Sequence, residues 1–171
     1  MVANENVEFT GPSLKIADAH SVDAGNASFT VIPMRGHTRG DLVVHFPKLG
    51  IISTVDLVDA MPYAGHGFPR EWLAALHQIR SLSASTYLPG HGMLLGNQDQ
   101  FELLVFYFNS LTAKVKALLD AGSTPEEIKA AIDLSQSRLM LAGDNERAGR
   151  FFDATQEEAI ARAIDELLAG D

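Results

Sequence analysis

Gly36-His37-Thr38-Arg39-Gly40-Asp41, then Ser53-Thr54-Val55-Asp56-Leu57, then Tyr87-Leu88-Pro89-Gly90-His91-Gly92: these three pieces decide how the chain reads. Each reads as a strand end entering a turn that carries one polar residue able to hold a metal. Gly36 and Gly40 flank His37 and allow a tight turn. Pro89 stiffens the approach to His91. Two imidazoles and a carboxylate are presented from three turns, and such nitrogen and oxygen donors are usual zinc ligands. Asp56 ends an apolar strand, where a buried carboxylate needs a compensating partner and a cation would serve. Thr38 can hydrogen-bond locally. Asp41 can brace the loop or orient an imidazole from behind.

Outward from this stretch, Leu42–Phe46 reads as a strand with Val43 and His45 on one face and Leu42, Val44 and Phe46 on the other. His45 is expected to face solvent. Ile51–Val55 is almost continuously apolar, which predicts burial on both faces. Residues 6–33 read as short β segments at Val7–Thr10, Leu14–Ala17 and Ser28–Pro33, separated by turns at Gly11-Pro12 and Asp23–Asn26. His20 reads as a surface or turn histidine. A loop over 57–69 leads to a helix starting at Pro69, with Trp72, Leu73, Leu76 and Ile79 as its apolar stripe. His77 falls on its flank. A long helix spans 98–120, with Asn97 as a possible cap and Gly122 as a stop. Thr124-Pro125-Glu126-Glu127 is a capping box opening a short helix that ends near Asp133. Residues 134–154 are expected to be irregular, with helical turns at 144–152. Thr155-Gln156-Glu157-Glu158 reads as a second capping box, opening a final helix to Leu168. The whole is read as one domain over 1–171, with sheet and ligand loops in 6–92 and mainly helix in 97–169.

The order GHTxGD, a strand ending in Asp, a helix, then PGHG resembles the second half of the metallo-β-lactamase superfamily of hydrolases, over about residues 6 to 120. Each piece alone is weak, and the ordered combination is specific. The resemblance implies an α+β fold that is half of an αββα sandwich: a mainly antiparallel mixed sheet with helices on one face and extra C-terminal helices. It implies that His37 completes one metal site, that Asp56 bridges two metals at the catalytic centre, and that His91 completes the second site. It also places Tyr63 and His66 beside the cleft as candidate contacts for a small-molecule substrate. In the intact family two zinc ions activate water for attack on an ester, thioester, amide or phosphodiester bond.

Two departures qualify the likeness. Val55 stands where the family usually has Gly before the bridging Asp. A β-branched residue resists positive φ, so a different local backbone is expected. The family's first-half string HxHxDH is absent: none of the six His (His20, His37, His45, His66, His77, His91) are spaced as HxH. The chain reads as a truncated hydrolase. Two protein ligands per metal make poor sites, so weak or absent zinc binding and no useful hydrolysis are expected of this chain alone. The sheet face that lacks its other half would be bare and apolar, which predicts association through a sheet-on-sheet homodimer or with a missing N-terminal half.

The 171 residues suffice for one core of ordinary size, and 46% hydrophobic with 20% charged residues is an ordinary globular composition. The net charge of −9 argues against nucleic acid. The acidic residues concentrate in the C-terminal third, which reads as a solvated helical surface. With no Cys, disulfides, thiolate metal sites and a Cys nucleophile are excluded. No apolar run reaches the ~18 residues that suggest a membrane span. No signal peptide is visible, and cytoplasm and periplasm both stay open. A serine hydrolase is disfavoured because no GxSxG occurs. Three readings remain: a piece of a zinc hydrolase, a subunit completing a site with an HxHxDH-bearing chain, or a non-catalytic interaction domain that kept the fold.

Overall fold

A computed structural model describes residues 10–92 and 99–170. The expected strand at 7–10 and the Asn97 cap fall mostly outside the described residues. The elements run β1 (His20–Val22), β2 (Phe29–Met34), β3 (Asp41–Phe46), β4 (Ile51–Val55), α1 (Pro69–Ser81), β5 (Thr86–Pro89), α2 (Asp99–Asp120), α3 (Pro125–Ala131), α4 (Ser135–Ala142) and α5 (Glu146–Ala169). The five strands form one mixed sheet in sequence order. β1 to β4 pair antiparallel, and β5 joins β4 in parallel after the α1 crossover.

One sheet face is buried under the helices. Ile32, Met34, Val43, Ile52 and Tyr87 point into a core shared with Trp72, Leu76, Phe101, Leu104 and Phe108. Trp72 sits at its centre, with its ring 4.7 Å from that of Phe108 and its indole N–H donating to Leu57 O at 2.9 Å. This orientation corrects the expectation for His45. It shares a face with fully buried Val43, so it lies on the helix side, and its Nε2 is buried without a hydrogen-bond partner. Strand alternation separates the two faces correctly but does not say which of them the helices cover.

The opposite face carries Val31, Val44, Phe46, Ile51 and Leu88, half-buried, with Leu42 39% exposed. The burial of β4 therefore alternates instead of being two-sided. Its apolar run has a covering layer on one face only.

Three further expectations are corrected. Leu14–Ala17 forms no strand, and Leu14 is exposed; three alternating residues beside a turn have no strand to pair with. His20 agrees with its reading as a surface histidine, exposed on edge strand β1 opposite Val31. Residues 134–154 are mostly helical: α4 occupies 135–142, and α5 starts at 146 and runs unbroken through Thr155. Asn145, not Thr155, is the cap of α5, its side chain accepting from the N–H of Arg147 and Ala148. The Thr155 hydroxyl instead bonds back to Phe151 O at 3.0 Å, as mid-helix Thr does. The capping box at Thr124 is present in full, and α3 ends at Ala131.

α1 has no cap of its own. Its free N–H groups at Arg70 and Glu71 donate to the carboxylate of Glu166 on α5, at 2.7 and 3.1 Å. An anion at a helix N-terminus also complements the helix dipole.

Candidate metal centre and its cleft

β2 and β4 both run antiparallel to β3, so they share a direction, and β5 runs with β4. The C-terminal ends of β2, β4 and β5 therefore lie along one edge of the sheet. His37, Asp56 and His91 each follow one of those ends, which is why residues so far apart in sequence meet. Asp56 lies between the two imidazoles: its Oδ2 is 3.5 Å from His37 Nδ1 and its Oδ1 is 3.5 Å from His91 Nε2. His37 is mostly enclosed, whereas the His91 side chain is 80% exposed.

Each of the three is held by its surroundings. The His37 ring meets Trp72 edge-on at 5.6 Å. Its loop is tied by Asp41, whose carboxylate accepts from the Thr38 hydroxyl at 2.6 Å and from the Thr38 N–H at 3.0 Å. Asp41 thus braces the loop backbone through Thr38. Gly36 is required for a close approach: a Cβ there would fall 2.6 Å from Leu57 and 2.9 Å from the Trp72 backbone. Gly90 is tighter still. A Cβ there would lie 1.9 Å from Asp56 Oδ1, and its N–H donates to Val55 O at 2.9 Å.

Val55 itself adopts φ 45°, ψ −140°, a conformation L residues rarely take. Val55 takes this turn although its β-branched side chain resists positive φ. Pairing to Pro89 and the Gly90 bond fix the peptide on both sides.

Sequence reading missed Asp59. It is 7% exposed, and its Oδ1 accepts from His91 N–H at 3.1 Å. Burial pushes its carboxyl pKa up, the nearby Asp56 charge adds to this, and the His91 N–H offsets part of it. Asp56, Asp59 and His91 each offer a donor atom within 4.8 Å of the others. The i, i+3 spacing of the two Asp around one 3-10 turn was the available clue, since that spacing eclipses side chains.

Over this centre opens a cleft of about 790 Å³. Tyr63 and His66 line it on one side, their rings edge to face at 5.0 Å. Tyr63 donates its hydroxyl to Glu158 Oε2 at 2.9 Å, and that bond holds the phenol pKa up. Helix α5 supplies another wall with Arg147, Ala148 and Phe151. A helix beginning at 155, as the sequence suggests, would leave this wall unformed. Side chains of the types that hold metals converge here, beneath an open cleft. Among the described residues no helix is long and apolar enough to cross a membrane.

No protein-family model matches the chain. A hydroxyacylglutathione hydrolase of Erythrobacter litoralis (strain HTCC2594) is 27% identical over 140 residues, covering 75% of this chain and 55% of that protein. A metallo-beta-lactamase family protein from Thermus thermophilus superposes with a TM-score of 0.60 at 18% identity, over 93% of this chain and 51% of that one. The sec-alkylsulfatase Pisa1 from Pseudomonas sp. gives 0.66 at 10% identity, over 90% of this chain and 26% of that one. The fold is thus that of metallo-β-lactamase proteins, and the chain spans about half the length of the curated relative it matches.

Proposed function

We propose that the chain is the C-terminal half of a metal-dependent hydrolase and contributes His37, Asp56 and His91 to a two-zinc centre. One observation carries this reading: a single carboxylate presents one oxygen to each of two histidines. An ordinary ion pair needs one partner, whereas a carboxylate bridging two metals needs a nitrogen donor on each side. The donor set fits zinc, with Asp59 beside the His91 side as a further oxygen. Zinc bound there supplies Lewis acidity, which activates water near neutral pH and polarises the bond under attack.

The chain's own residues hold and orient. Asp41 and Trp72 fix the His37 loop, Asp59 fixes the His91 backbone, and Gly90 leaves room for the Asp56 carboxylate. Tyr63, Met61 and Phe151 narrow the cleft against water. The name of the Erythrobacter relative favours an acyl compound as the small-molecule substrate. The remaining ligands belong to an HxHxDH-bearing half whose sheet would cover the bare face of Val31, Leu42, Val44 and Phe46. In its absence a second copy of this chain is the partner that face fits, and the isolated chain is inactive. That bare apolar face also supports the alternative of a non-catalytic domain that pairs through its sheet.

The test is a titration of the 171-residue chain with Zn²⁺ at millimolar concentration, followed through the imidazole ¹H–¹⁵N resonances. This detects weak sites. His37 and His91 should shift together in the parent and not in Asp56→Asn. Shifts confined to His20, His66 or His77, or shifts that survive Asp56→Asn, would remove the proposal.

A further inference from the structure

We infer that Arg162 is a positioning residue for His37: from α5 it fixes Phe68, and Phe68 holds the ligand loop on both sides of the imidazole. That His37 is a metal ligand rests on the two-zinc reading above, whereas the brace stands on its own geometry.

Glu158, Arg162 and Glu166 follow one another at intervals of four, so they share one face of α5. Each of them holds a successive piece of the segment 63–71. Glu158 accepts from the Tyr63 hydroxyl, and Glu166 from the Arg70 and Glu71 N–H groups. Between them Arg162 donates its Nε–H to Gly67 O at 3.1 Å, and its guanidinium lies 4.8 Å from the centre of the Phe68 ring. The ion pair of Arg162 with Asp165 does not account for this placement. That contact spans 3.6 Å, the Asp165 side chain is 68% exposed, and surface pairs of this kind contribute little.

Phe68 passes the constraint on. Its N–H donates to Gly36 O at 2.8 Å, and the Arg39 guanidinium lies 4.7 Å from its ring centre. Gly36 N–H donates to Thr38 O at 3.0 Å and closes the turn around His37. Gly36 and Arg39 thus flank His37 in sequence, and both rest on Phe68. Gly67 permits the close approach, since a Cβ there would lie 3.0 Å from Gly36 O. Asp41 braces the loop at Thr38, and Phe68 holds it at Gly36 and Arg39.

The experiment is NMR on the 171-residue chain in EDTA at about pH 8, where an ordinary imidazole is neutral. Two quantities are read. One is hydrogen exchange of the Phe68 N–H. The other is the shift that the Trp72 ring, 5.6 Å away, imposes on the carbon-bound protons of His37. The Phe108 N–H, in the buried middle of α2, reports opening of the whole molecule. Arg162→Met keeps an apolar stem but removes the donor and the charge. It should speed Phe68 exchange about tenfold relative to Phe108, as expected for one hydrogen bond from a charged group, and reduce the His37 shift. Phe68→Leu should also reduce the shift. Arg162→Lys should restore part of both, and Asp165→Asn should alter neither. Phe68 exchange that rises only in step with Phe108, or a His37 shift unchanged in Arg162→Met, would overturn the inference. With no metal present, that failure leaves the zinc reading standing, and a failed Zn²⁺ titration leaves the brace standing.

Discussion

Val55 shows a single residue overruled by its surroundings. Its side chain argues for an extended backbone, yet the peptide turns at φ 45° because Gly90 and Pro89 hold it. Such conformations cost of order 1–3 kcal/mol in a non-glycine residue. Val55→Gly should therefore be neutral, or stabilising by up to about 1 kcal/mol after the loss of some side-chain packing. In an unstrained strand the same change destabilises. Urea unfolding measures this, and a destabilisation above about 1 kcal/mol would show that Val55 stores no strain. Legibility at this scale follows from the same logic. His37, Asp56 and His91 could be picked out because each sits in a locally distinctive turn. Asp59 offered only its i, i+3 spacing from Asp56, which is too weak by itself, because its placement depends on the turn that follows Asp56 and on the arrival of His91 from a distant strand.

Two copies of one local pattern behave oppositely at the scale of the element. Thr124 and Glu127 form the reciprocal cap, with Thr124 N–H donating to Glu127 Oε2 at 2.8 Å. Thr155 and Glu158 have the same spacing inside a continuous helix, where Glu158 instead accepts from Tyr63. Thr124→Ala should cost about 1 kcal/mol, and Thr155→Ala should stay within about 0.5 kcal/mol, both read by denaturant unfolding. A capping box is legible in sequence, but whether a helix already runs through it depends on an earlier cap, here Asn145. The helices also carry an acid sensitivity. The Thr124 N–H lowers the pKa of Glu127, the Ser135 N–H that of Asp133, and Arg138 that of Asp153. With folded pKa values below the unfolded ones, the folded chain binds fewer protons, so stability rises with pH. This stability is complete above the ordinary carboxylate range of about 4 and is lost as pH falls through the folded values. Helical circular dichroism should decline as pH falls from about 4 towards about 2, and a flat signal there would contradict these shifts.

The whole molecule is one sheet with a helical layer on one side. The motif order pointed to this fold because each motif stands where a strand of the sheet ends. The correction to His45 came from not knowing which face the helices cover, and that to β4 from not knowing that only one face is covered; a strand's two-residue period tells neither. The face bearing Val31, Leu42, Val44 and Phe46 has no covering layer among the described residues, and its pairing with a second copy is the proposal to test. Sedimentation of the 171-residue chain at micromolar concentration should show a dimer. Val44→Asp should give a folded monomer. A monomeric parent, or a dimer indifferent to Val44→Asp, would rule out pairing through this face.

The cap that α1 borrows from Glu166 has a consequence in time. Arg70 and the residue that satisfies its N–H are separated by 96 residues. On the ribosome, at about 5–20 residues per second, roughly 5 to 20 s pass between the synthesis of the helix and that of its cap. During that interval the start of α1, which joins β4 to β5, lacks this cap. The helix that links the Asp56 turn to the His91 turn is thus completed only when the last helix of the chain has been made.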